Sequence, residues 1–388
     1  MKTCTFVIAA ILWAPGTGVA AQSLFNAAGM GVPVEALDGR ARALGNLGIG
    51  LRGASFLPTD PAAAAGFLVS TGVMAGQPSW VDYTSAAGPA GDFQGNRFPL
   101  LGIAYPVFSG MASIQLGSFL DQHFLSERVG SVQLLSGALS ATDSFEQDGS
   151  VSNLNLGYAQ KLTPDVSIGL TVGRYAGSVV RTLTRSFGAD DSVVLDDYVE
   201  QGTWAYRGYS LTAGVAADLG SSVRVAGSVQ VPTRLHADAS EETGGDDGAV
   251  DLPIQYRFGL SATVAPGLVV SGSTALADWS AAEADLADGT GAGNTNGFGV
   301  GVELSRARLL GKDVPLRFGY RRTGLPFSFD DADATERVWS GGFGLTMNTT
   351  AGIVLAGADF AIERGQRVGA GIKELFWRAT VSLVLSGF

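Results

Sequence analysis

Apolar residues recur at every second position along most of this chain. Asn153-Leu154-Asn155-Leu156-Gly157-Tyr158 puts Leu154, Leu156 and Tyr158 on one face. Val223, Val225, Val229 and Val231 likewise oppose Arg224, Ser228 and Gln230, and Ile254, Tyr256, Phe258 and Leu260 oppose Gln255, Arg257, Gly259 and Ser261. A period of two predicts β-strands with one apolar face. Fourteen such runs can be counted from Phe67 onward. The first seven lie near 67–84, 97–108, 111–120, 151–161, 165–186, 203–218 and 222–237. The rest lie near 252–264, 268–280, 296–307, 313–322, 336–348, 351–363 and 374–388.

The connections carry a second pattern. Ser109-Gly110, Thr163-Pro164, Gly220-Ser221, Pro266-Gly267, Gly311-Lys312 and Thr349-Thr350 are tight, whereas 85–96, 121–150, 187–202, 238–251, 281–295, 323–335 and 364–373 are long and polar. Short and long alternate. A sheet can cross a bilayer only by closing on itself, and outer-membrane barrels pair an even strand count with short turns at one end and long loops at the other. The expected fold is therefore all-β: a transmembrane antiparallel β-barrel of about fourteen strands, over 67–388. A soluble sandwich or propeller would give no reason for the alternating loop lengths.

Composition narrows the alternatives. Among 388 residues there are 55 glycines, and only 16 % are charged while 46 % are hydrophobic. No run after the first twenty residues reaches the length of a membrane helix. The only cysteine is Cys4 and the only histidines are His123 and His236, so disulfide frameworks, cysteine-based zinc sites and haem attachment are excluded. A net charge of −11 argues against nucleic acid as a partner. No metal or cofactor is expected. The acids of the long loops (Asp190, Asp191, Asp196, Asp197 and Glu200; Glu241, Glu242, Asp246 and Asp247; Asp330, Asp331, Asp333 and Glu336) fit no calcium-binding loop. They read as a solvated surface beside lipopolysaccharide.

Residues 1–21 read as a cleaved signal peptide. Lys2 supplies the positive start, Phe6 to Trp13 the short apolar core, and Val19-Ala20-Ala21 the small residues before a cut at Gln22. This implies export, with the cell outer membrane of a Gram-negative-type envelope as destination.

Residues 22–66 do not alternate. They hold Gly39-Arg40-Ala41, the spaced glycines Gly45, Gly48, Gly50 and Gly53, and then Asp60-Pro61-Ala62. A wide barrel cannot fill its own lumen with side chains, so this segment is expected inside it as a hatch. The Gly39-Arg40-Ala41 triplet, the glycines and Asp60-Pro61-Ala62 resemble the N-terminal hatch of the FadL family, with Asp60 where that family has Asn. The strand count and Lys373-Glu374-Leu375-Phe376-Trp377-Arg378 at the last strand agree with the resemblance. It implies a channel that takes up long-chain fatty acids or aromatic hydrocarbons by passive diffusion; the chain ends in Phe388, the kind of terminal residue that the barrel assembly machinery reads, and a monomer in outer-membrane lipid is expected. The resemblance also implies a shifting hatch and a sideways exit through a defect in the third strand, for which Gly117 is the candidate. The alternative is a non-transport barrel of the same superfamily, acting in assembly or as a secretion shuttle.

No Gly-x-Ser-x-Gly elbow occurs, and two histidines placed as surface residues assemble no nucleophilic set, so an enzyme is not expected. Strand parity instead directs charge inward. With Leu316, Phe318 and Tyr320 facing lipid, Arg317 and Arg321 face the lumen; Asp359, Glu363 and Arg378 follow in the same way. Folding the last hairpin about 364–373 sets Asp359 opposite Arg378 and beside Ser340. Arg317, Arg321, Ser340, Asp359 and Arg378 are the candidate ligand-binding residues, offering positive charge to an amphiphile's carboxylate.

Overall fold

The computed structural model describes residues 23–86, 88–134, 137–188, 195–286, 290–309, 312–329, 332–350 and 353–387. The leader 1–21, Gln22, Asp190, Asp191, Asp330, Asp331 and Phe388 lie outside the described residues. The wall comprises fourteen strands: β1 Thr71–Ser85, β2 Gly88–Val107, β3 Gly110–Asp121, β4 Gly137–Lys161, β5 Val166–Phe187, β6 Tyr198–Leu219 and β7 Val223–Pro232. It continues through β8 Gln255–Ala265, β9 Leu268–Asp278, β10 Asn294–Leu304, β11 Leu316–Gly324, β12 Thr335–Thr350, β13 Ile353–Gly369 and β14 Ile372–Ser386. Each pairs antiparallel with the next, and β1 pairs with β14 from Thr71–Ser386 to Ser85–Ile372. The barrel is closed.

Burial is inverted relative to a water-soluble protein. Leu154, Leu156, Leu170, Val172, Phe258, Phe298 and Phe318 are exposed, whereas Asn153, Asn155, Thr171, Arg257 and Arg317 are buried. An apolar outer band around a polar interior is the arrangement a bilayer selects.

The strands are longer than hydropathy predicts at the long-loop end. Of 85–96 and 364–373, expected as loops, residues 85, 88–96, 364–369 and 372–373 are strand, and β13 turns into β14 through Ala370 and Gly371, both at positive φ. Antiparallel hydrogen bonding needs no apolar face, so the ladder continues where alternation fades. Residues 121–150 likewise contain a strand, Phe124–Leu134, paired with the start of β4. The run 222–237 is broken after Pro232; Leu235–Ala239 pairs instead with β6 and Gly248–Val250.

Residues 23–66 contact strands around the whole ring. Gly39 N donates to Ser382 Oγ of β14, Leu47 N to Ser273 Oγ of β9, Ser228 Oγ of β7 to Thr59 O, and Ser340 Oγ of β12 to Ala43 O. A segment reached from such distant strands lies in the lumen. Its single α-helix, α1 (Gly39–Ala43), is too short to satisfy its own backbone, so wall hydroxyls do so. Asp38 caps it by accepting from Ala41 N at 2.8 Å. Gly50, at φ +75°, lies so close to the backbone of Gly259 on β8 that neither position tolerates a Cβ. Asp60 Oδ2 pins that turn by accepting from Gly50 N at 3.0 Å. Pro61 opens a 3-10 turn, Pro61–Gly66, with Ala62 fully buried behind it.

Candidate functional site

The inward charges form two networks. In the first, Arg317 meets Glu303 of β10 at 2.7 Å and Asp359 of β13 at 2.5 Å, while Arg40 of α1 holds the same Glu303 at 3.1 Å. Two cations face two anions. Arg317 is thus occupied by wall carboxylates and is joined to the lumen segment through the Glu303 that it shares with Arg40.

The second network surrounds Glu336 of β12. Arg378 reaches it at 2.7 Å, Arg367 at 2.8 Å and Arg321 at 3.2 Å. Arg321 also bonds Glu363 at 2.5 Å, and Arg367 bonds Glu374 at 3.0 Å. Glu374 in turn accepts from Ser23 Oγ and Leu24 N. Glu336 is therefore a buried lumen residue and not part of an acidic outer loop. The strand register also corrects the expected cross-strand pairs. Arg378 stands opposite Glu363, Asp359 opposite Ser382, and Ser340 opposite Glu363. The hairpin pivots on Ala370-Gly371 rather than on the middle of 364–373, which slides every pair along.

Beside this network is a cavity of about 110 Å³. Its lining carries six arginines (Arg42, Arg97, Arg257, Arg321, Arg367 and Arg378) against two carboxylates, Glu35 and Glu336. Val32, Val34, Leu276, Trp279 and Leu325 supply the apolar part. Arg257 meets Glu35 at 3.3 Å, and Arg97 meets Asp121 at 3.6 Å. The buried Nε atoms of Arg42, Arg97 and Arg257 have no partner among the described residues. Of the sequence candidates, Arg321 and Arg378 line the cavity, Ser340 binds the lumen segment, and Arg317 and Asp359 pair with each other in the wall beside it. Arg42, Arg97 and Arg257 were missed. Parity alone placed Arg257 inward; Arg97 lay at a strand boundary and Arg42 outside any strand.

A second cavity, of about 80 Å³, shares Pro33, Val34, Glu35, Gln255, Arg257 and Trp279 with the first and reaches Gly117, Ser118 and Phe119 of β3. There the backbone ladder parts, although Ser118 Oγ donates to Phe98 O at 3.3 Å and Arg97 meets Asp121 at 3.6 Å across the break. The β2–β3 ladder runs from Val107–Gly110 to Leu100–Gly117 and stops. The next residue of β2, Pro99, has no N–H to continue it, and Phe98 and Pro99 together stand opposite Gly76 in a bulge against β1. On the other side β3 slips against β4 between Ser118 and Leu120. The top of β3 pairs instead with the lumen segment, Val32 with Asp121 and Pro33 with Leu120. Ala36 lies against Gly117, where any side chain would collide with it.

His123 sits just past β3 between two carboxylates, Asp121 at 2.7 Å and Asp148 at 3.2 Å. Burial pulls its pKa down, but the hydrogen bond to Asp121 and the charges of Asp121 and Asp148 outweigh this and hold it above the ordinary value. It is a partly buried clamp and not a plain surface residue. His236 is exposed on the short strand Leu235–Ala239.

No protein-family model and no curated protein matches the sequence. Solved structures do match in fold. A Pseudomonas aeruginosa FadL homologue superposes with a TM-score of 0.62 at 9 % identity, over 92 % of this chain and 99 % of that one. The P. putida toluene transporter TodX gives 0.58 at 13 % identity, over 91 % and 99 %. The CymD monoaromatic hydrocarbon channel gives 0.55 at 13 %, over 92 % and 98 %. The expected FadL-type barrel is the fold this chain adopts.

Proposed function

We propose that this chain is an outer-membrane channel for hydrophobic small molecules, exported by a cleaved leader, with residues 23–66 as its plug. The observation that carries the reading is the continuity of the arginine-rich cavity, the second cavity and the gap between β2 and β3. Hydrophobic-substrate channels share the fold, and the inverted burial supports a membrane location.

The ligand we favour is a long-chain carboxylate. The six arginines pair with five carboxylates, Glu35, Asp121, Glu336, Glu363 and Glu374, which leaves one positive charge for an anionic head, and an arginine fork matches a carboxylate. The apolar wall of Val32, Val34, Leu276 and Trp279 accepts the chain. Passage is downhill: the plug yields, the head leaves the arginines, and the chain passes Gly117 into the bilayer without meeting bulk water. Uptake of oleate and of toluene into proteoliposomes tests this. Arg378→Gln is expected to slow oleate severalfold and leave toluene unchanged. Equal effects on both, or no oleate uptake by the intact protein, would overturn the reading.

A further inference from the structure

The lipid-facing side of the wall also carries a groove. It has a volume of about 510 Å³ and runs over β2, β3, β4 and β5, lined by Ile103, Tyr105, Ile114, Leu156 and Leu170 around the small residue Ala112. The surrounding side chains are about half exposed or more, so the depression opens to the bilayer. Tyr158 closes its tight-turn end, its ring over Gly110 and its hydroxyl donating to Val107 O at 3.4 Å.

Its position relative to the wall gap gives it a meaning. Ile103 pairs with Ile114 at the groove, Leu101 pairs with Leu116 next, and the ladder ends one residue beyond, at Leu100–Gly117. One outward pair, a rise of about 7 Å, therefore separates the groove from the gap. Both members of that pair are exposed, and so is Phe98 at the gap's edge. The apolar track is unbroken from the gap, over Leu101 and Leu116, into the groove. No other strand pair of the wall is parted in this way among the described residues.

We propose that this groove is an exit site that receives the hydrocarbon chain of the ligand as it leaves the gap. The inference rests on the transport reading above. The chain slides along Leu101 and Leu116 and lies over Ala112 before it disperses into the membrane. The occupant is the departing ligand, not a resident phospholipid.

The chain's only cysteine, Cys4, falls in the proposed leader, so single-cysteine labelling is open. A fluorophore at Ala112→Cys is compared with one at Val270→Cys, a lipid-facing position on β9 near its own tight turn. In liposomes, doxyl-stearate is expected to quench the Ala112→Cys label severalfold more than the Val270→Cys label, and doxyl-phosphatidylcholine to quench both alike. Equal quenching by the stearate would overturn the proposal. Preferential quenching by the phospholipid would also overturn it, assigning the groove to bilayer lipid. Filling the groove with Ala112→Phe, which leaves the lumen untouched, is expected to slow oleate uptake severalfold without changing oleate binding; unchanged uptake would overturn the exit role. If the wild type transports no oleate, the quenching comparison still decides the groove on its own.

Discussion

Arg40 of the lumen helix and Arg317 of β11 share one carboxylate, Glu303 of β10, at 3.1 and 2.7 Å. Glu303 is thus one of the wall carboxylates that latch the lumen segment, beside Glu374, which accepts from Ser23 and Leu24. Replacing it by Glu303→Gln leaves two largely buried guanidinium groups short of charge, a loss of up to about 3 kcal/mol. The expected result in planar bilayers is frequent opening of an otherwise quiet channel. The heat-dependent shift in gel migration should persist, showing that the barrel itself still closes.

Arg317→Gln separates latch from ligand site. Arg317 is satisfied by Glu303 and Asp359 and does not line the cavity. Its loss should raise leakage of oleate and toluene alike, in contrast to Arg378→Gln, which acts on the carboxylate alone. A selective effect of Arg317→Gln on oleate would place the head group at the latch instead.

Removing residues 23–66 entirely should turn a low-conductance barrel into an open pore. Single-channel recordings of the heat-modifiable deletion protein provide the measurement. Unchanged conductance would mean that other elements close the lumen.

Asp38 introduces a pH dependence of the plug. Burial, with the nearby Asp359 charge, pushes its pKa up to about 6 from 3.8. A raised acid pKa means that the folded state prefers the protonated form. The associated stability is therefore present below the unfolded value and is lost as pH rises through the folded one, between about pH 4 and 6. Asp38→Asn keeps a cap for Ala41 N while removing the buried charge. It should slow hydrogen exchange of the plug amides at pH 7, by at most about 3 kcal/mol in opening free energy, and have little effect at pH 4.

His123 adds a pH dependence of the same sign beside the gap. Its raised pKa makes the clamp between Asp121 and Asp148 strongest while the ring is protonated; the contribution is complete below about pH 6.5 and lost as pH rises through the folded value. His123→Gln should abolish any pH dependence of uptake above pH 6 that the wild type shows. A wild type with flat uptake from pH 5 to 8 would rule out control by this clamp.

Much of the wall was legible in the alternation of residues such as Leu154, Leu156 and Tyr158, because the bilayer dictates a period of two on the outward face of every strand. Parity alone turned Arg317, Arg321, Asp359 and Arg378 inward. Heights along the strands were not legible. Beyond the bilayer both faces are polar, so alternation fades while backbone pairing continues, and the position of Ala370-Gly371 was hidden. That hidden slide is why Arg378 meets Glu363 and Glu336 rather than Asp359, and why Arg367 and Glu374 were missed.

The amino-acid pattern by itself determined a closed β-barrel with a non-strand segment before it, since strand period and glycine-rich spacing are local properties. Tertiary structure decided which charges neutralise one another and which arginine Nε atoms stay without a partner among the described residues. Arg42, Arg97 and Arg257 belong to a plug helix, an early strand and a middle strand, and only closure of the barrel around its plug brings them to one cavity. The gap beside Gly117 has the same origin. Pro99 ends one ladder locally, but the wall stays parted because Val32 and Pro33, from far along the chain, take the place at β3 that β2 leaves.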